Sequence, residues 1–143
     1  MRNIAIEEMK ELSAEILRKR GYTIENGTLR EAGLGDANGL AVVSAIVDMA
    51  GGGTCAVGDL TAGQFLDKDI RGTRYGCEAM LWLMAVVGVN HSSKIGGQYV
   101  RVAFDKDGRA ICIGHIVNDI WLNFKMLSAG IHAEDAIKKD RQA

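Results

Sequence analysis

The sequence predicts an α+β fold: a small antiparallel sheet packed on a central buried helix, with an added N-terminal helix. Three observations lead there. Residues 99–117 hold two alternating runs joined across Asp107-Gly108, a dipeptide suited to a tight hairpin turn. Residues 40–49 alternate so that Ala41, Val43, Ala45, Val47 and Met49 share one wholly apolar face, while Ser44 and Asp48 interrupt the other. Residues 73–87 make a helix-length stretch in which Glu78 is the only charge between Cys77 and Val87.

Each element follows from local signals. Residues 4–20 read as one amphipathic helix, with Ile6, Met9, Leu12, Ile16 and Leu17 opposite Glu8, Glu11, Glu15 and Lys19. Gly21 is its expected stop. Short strands are expected over 28–34, ending at Gly35-Asp36 with a turn continued through Asn38-Gly39, then over 40–49. Gly51-Gly52-Gly53 turns the chain into a return strand over 54–60, and 64–72 read as a polar connection. A helix runs from Thr73, a plausible N-cap, to Gly88. Leu81, Trp82, Leu83, Met84, Val86 and Val87 cover every side of it, and a helix apolar all round is expected to be buried all round. A small sheet covers one face, so the N-terminal helix or a second subunit must cover the other. A homo-oligomer is expected on that ground. Strands at 99–104 and 110–117 form the hairpin, 119–124 a short strand or extended arm, and 131–141 a final helix with a basic tail. The chain divides into an N-terminal helix, 1–23, and a single α+β domain, 24–143.

Composition narrows the function classes. At 143 residues with 48% apolar content the chain is long enough to bury a core without staples. Its 17 basic and 18 acidic residues give a net charge of −1, which argues against a nucleic-acid binder but allows a pocket for one small anion. Cys55, Cys77 and Cys112 are odd in number and lack metal-ligand spacing; Cys77 and Cys112 sit in apolar contexts and read as buried free thiols, which fits a reducing cytoplasm. No basic-then-apolar leader opens the chain, so no signal peptide is expected. The longest apolar run, 79–89, is too short to cross a bilayer, and no membrane partner is expected.

Chemistry-bearing residues are few. His91, His115 and His132 are scattered without matching ligands, so neither a metal nor another cofactor is expected. Ser44, Ser92, Ser93 and Ser128 lack a nucleophile-elbow context. Asp67 with Asp69, and Asp105 with Asp107, sit in turns where solvation is the default. Gly51-Gly52-Gly53 is followed by no helix opening on Lys-Ser/Thr and is no phosphate loop. No enzyme motif is present and no catalytic residue is assigned.

The better anion site is Arg71-Gly72-Thr73-Arg74-Tyr75-Gly76. Two arginines bracket a helix start whose free amides favour a phosphate, and Tyr75 is placed to stack on a base. Solvated arginines are the alternative. Arg101, mid-strand between valines, is either solvent-facing or a pocket or interface residue, with Asp119 and Trp121 as candidate partners. His115 is either a hydrogen-bonded core residue or a ligand contact. Arg71, Thr73, Arg74, Tyr75, Arg101, His115 and Asp119 are the expected ligand-binding set.

Three segments, GLGDANGLAVVSAIVDMAGGGTCAVGD (33–59), RGTRYGCEAMLWLMAVVGV (71–89) and GGQYVRV with GRAICIGHIVNDIWLNF (96–124), resemble a family of small phage and prophage proteins. The most specific part is Ile113-Gly114-His115-Ile116-x-x-Asp119-x-Trp121. The chain departs from the family pattern at Asn38, where a histidine is common, at Gly58-Asp59, where a doubled glycine-aromatic pair is usual, and at Gln98, where lysine is usual. The N-terminal helix is an addition to the family core. The resemblance extends to the phage anti-Thoeris type, proteins that sequester a cyclic ADP-ribose isomer without cleaving it. It implies a phage-encoded anti-defence protein in the host cytoplasm, oligomeric and not an enzyme, that binds a small cyclic nucleotide. The alternative is an anti-CRISPR-like or other protein–protein inhibitor of a host defence system.

Overall fold

The computed structural model describes residues 4–37, 40–66 and 69–142, with side chains for 5–33, 41–58 and 72–135. The Asn38-Gly39 turn, Asp67 and the side chain of Arg71 therefore lie outside the described residues. The chain is an α+β fold in which helices, the N-terminal ones included, pack against a curled antiparallel sheet.

The N-terminal stretch forms two short helices, α1 (Ile4–Lys10) and α2 (Ala14–Lys19). The expected single helix breaks because Ser13 takes an extended backbone and its hydroxyl accepts the Ile16 amide at 3.1 Å, so an N-cap sits where the apolar spacing runs straight through. Four strands follow: β1 (Thr23–Ala37), β2 (Leu40–Met49), β3 (Thr54–Leu66) and β4 (Asp69–Gly72). Then come α3 (Arg74–Val87), β5 (Tyr99–Phe104), β6 (Ala110–His115), β7 (Trp121–Asn123) and α4 (Phe124–Gln142). The strand order is β4-β3-β2-β1-β5-β6-β7, and every neighbouring pair is antiparallel.

The sheet is longer-stranded than expected. β1 carries through Gly35-Asp36, pairing them with Val42 and Ala41, and the presumed polar connection is the end of β3 with β4. The sheet curls until β3, second from one edge, meets β6, second from the other. One cause is visible in the register. Gly33, Ser44 and Gly58 lie side by side on β1, β2 and β3, next to a bulge between Val43 and Ser44. Bulges bend strands and increase twist. Gly58 has φ of 107°, and a Cβ there would stand 2.7 Å from the Val43 carbonyl oxygen and 3.2 Å from the Phe124 ring. Small residues thus let the strands fold over at this line.

α3 lies in the hollow of the curl against β1, β2, β3, β5, β6 and β7. Its predicted ends hold: the Thr73 hydroxyl accepts the Gly76 amide at 3.1 Å, and Gly88 closes the helix in the left-handed region. Its burial departs from expectation. Tyr75, Gly76, Ala79, Leu83, Val86 and Val87 are buried, but Cys77 and Ala85 are exposed and Leu81 is 58% exposed. One copy of the chain therefore covers only part of the helix. Composition sets how much apolar surface a helix has, and the neighbouring elements decide how much of it is covered.

The core joins the two sequence halves. Val43, Val47, Val57, Val100, Val102, Ile113 and Leu122 line the inner face, with Leu83 of α3 and Leu127 of α4 against them. α4 starts at Phe124, where an extended arm was expected, because the Asn123 side chain accepts the Met126 amide at 3.1 Å and caps a helix. Of Cys77 and Cys112, both expected to be buried, only Cys112 is and Cys77 faces outward; Cys55 is half-buried, and all three are free thiols.

Candidate functional site

The expected anion site separates into four environments. Arg71 sits on β4 opposite Gln64. Thr73 spends its hydroxyl capping α3. Arg74, one residue on, turns outward and is held by carboxylates: its Nε donates to Glu78 at 3.1 Å, one terminal nitrogen donates to Glu134, and the other lies 3.7 Å from Asp135. The bond to Glu134 leads the interactions that push its guanidinium further up from its ordinary range. Tyr75 turns inward. It is 4% exposed, and among the described residues its hydroxyl has no hydrogen-bond partner. Burial pushes that phenol up to about 12, so it stays neutral in the core and is not placed to stack on a ligand.

Arg101, His115 and Asp119 do come together, around Trp121. The row Arg101–Gly114–Trp121 runs in register across β5, β6 and β7. Gly114 has no side chain, so the indole lies over it: a Cβ there would meet the Trp121 ring at 2.5 Å. Arg101 stacks 4.8 Å from the ring centroid, donates from Nε to the His115 carbonyl at 2.7 Å, and donates from a terminal nitrogen to the Asn118 carbonyl at 2.9 Å. His115 Nδ1 accepts the amides of Val117 and Asn118 at 3.0 and 2.9 Å. Two amides donating to one ring nitrogen place the imidazole proton on Nε2.

One carboxylate oxygen of Asp119 gathers three donors. They are the Ala14 amide at 2.9 Å, the Trp121 indole at 3.2 Å and Arg101 at 3.4 Å. The Ala14 amide, then the indole and then Arg101 hold its carboxyl below the usual range. The most specific motif in the sequence is thus a clasp. It shapes the turn after β6 and fastens the first turn of α2 to it. Among the described residues, no hydrogen bond joins Arg101, His115 or Asp119 to Arg74 or Tyr75.

Among the described residues, a cavity lies elsewhere, between α1, α3 and α4. It is a groove of about 350 Å³ lined by Ile6, Lys10, Arg74, Glu78, Leu81, Trp82 and Glu134. Only Arg74 belongs to the expected set. Ile6 and Lys10 come from α1, Glu78, Leu81 and Trp82 from α3, and Glu134 from α4. The signal that pointed here was the surplus apolar surface of α3. It asked for cover, and α1 supplies one wall while leaving Leu81 open. Glu78 and Glu134 are both bonded to the guanidinium between them. Among the described residues no group of three metal-type ligands converges. Comparison with protein-family models, with curated proteins and with solved structures found no match.

Proposed function

We propose that this protein works by binding and not by turnover, as an anti-defence factor of the phage type its closing motif resembles. In this reading it acts in the host cytoplasm, needs no cofactor, engages neither membrane nor nucleic acid, and uses the α1–α3–α4 groove to occupy a protein of a host defence system. One observation carries the proposal: Leu81 is 58% exposed beside Ile6 and Trp82 in a groove rimmed by Lys10, Arg74, Glu78 and Glu134. An apolar floor with an aromatic residue and a rim of both charge signs suits a protein segment that buries one or two apolar side chains.

Sequestration of a cyclic ADP-ribose isomer is the second reading. Trp82 in one groove with Lys10 and Arg74 favours it, because an indole suits adenine and cations suit pyrophosphate, in a space of small-molecule size. The carboxylates already bonded to Arg74 weigh against it, since an entering phosphate meets them at close range.

Rescue of phage infection in cells carrying individual defence systems, scored for the wild type, Leu81→Glu and Trp82→Ala, tests the proposal. The protein-partner reading expects rescue to fail with Leu81→Glu, and it expects no heat when cyclic ADP-ribose isomers are titrated into purified protein. Saturable nucleotide binding lost in Trp82→Ala selects the second reading. Full rescue by Leu81→Glu, with no nucleotide binding by the wild type, removes the groove from both.

A further inference from the structure

We propose that β4 is a self-pairing edge, through which two copies of the chain join antiparallel about a two-fold axis at Ile70. β4 ends the strand order, and among the described residues no strand lies on its outer side. A sheet edge offers backbone donors and acceptors, and an antiparallel strand from a second copy matches them.

Symmetry and charge select the register. Along a strand, alternate residues turn their backbone N–H and C=O to opposite sides, so a two-fold antiparallel pair must centre on a residue and not between two. Centring on Asp69 sets that carboxylate residue against its own copy, and centring on Arg71 does the same with arginine. Centring on Gly72 leaves three residues of the four-residue strand without a strand partner. Centring on Ile70 sets Asp69 opposite the partner's Arg71 and Arg71 opposite the partner's Asp69. Opposite charges directly across a strand pair stabilise it, and like charges destabilise it. Charged residues on an edge ordinarily keep edges apart. In Asp-Ile-Arg-Gly the signs alternate about the centre, so the same residues admit one symmetric register and reject its neighbours.

The edge shares no residue with the groove, so this inference stands or falls apart from the proposed function. Three paired residues in each strand make a weak dimer, and sedimentation velocity over a concentration series of the full chain reads it. Concentration-dependent dimerisation is expected. Asp69→Arg and Arg71→Asp, each placing like charges across the pair twice, raise the dissociation constant by about tenfold or more. The double reversal restores opposite signs and returns it to within about threefold of the wild type. Circular dichroism of each variant checks that the fold is kept. A wild type monomeric at every concentration overturns the inference. So do single reversals that dimerise as the wild type does, or a folded double reversal that stays as weak as the singles.

Discussion

Gly114 shows how one residue decides a local arrangement. Its strand neighbours leave no room for a side chain, since the first added carbon meets the Trp121 ring at 2.5 Å and Trp121 is 1% exposed with nowhere to retreat. Gly114→Ala is expected to cost about 1–3 kcal/mol by overpacking, read as a lower denaturant midpoint with unchanged slope. Asp119 acts through charge. Its folded carboxyl titrates below its unfolded value, so the stability it contributes is present above the ordinary carboxylate range and is lost as pH falls through the folded value. Asp119→Asn removes that dependence. The carboxylate is half exposed, which screens it, so the variant is expected to lose only about 1 kcal/mol near neutral pH. Its unfolding midpoint then changes less than the wild type's between neutral pH and pH about 3. Equal acid sensitivity in the two proteins counts against this role.

At the scale of elements, α3 is the best test of local signals. Thr73→Ala removes the acceptor of the Gly76 amide and is expected to cost about 1 kcal/mol, measured by chemical denaturation. Both ends of α3 and the turn on Asp107-Gly108 were legible because cap and turn residues act within a few positions of themselves. Local pattern places the first strand only over 28–34, but Gly27 pairs with Val100 and with Met49, and only those partners make it a strand. The expected final helix over 131–141 starts too late for the converse reason. Phe124, Leu127 and Ile131 have helical spacing and are all buried, but Trp121-Leu122-Asn123 before them alternates, and the pattern was carried past Asn123, which is the cap. The clasp was half legible. Arg101 and Asp119 stood out as candidate partners, but the amide of Ala14, 105 positions from Asp119, left no trace in either local pattern.

At the scale of the molecule, the N-terminal helices belong to the same body as the sheet. Met9, Leu12 and Leu17 are 1%, 3% and 1% exposed and join the central core cluster, and α1 packs on α4 and β7 while α2 packs on β1. The Asp119 clasp adds a polar fastening to that apolar seam. A division at residue 23 therefore cuts through packed core, and the physical expectation is one cooperative unit. Leu17→Ala tests it. Removing a fully buried leucine costs about 2–5 kcal/mol through lost burial and the cavity left behind. If the helices were a separate unit, that loss would fall on helical signal alone and leave the tryptophans undisturbed. In one unit it lowers the whole transition. Trp121 lies in β7 and Trp82 in α3, so indole fluorescence reports the sheet and the central helix, while far-ultraviolet circular dichroism also weighs the N-terminal turns. The expected result is a shifted midpoint with the two signals still coincident. A helical loss that precedes the fluorescence change would instead show the first 23 residues melting on their own.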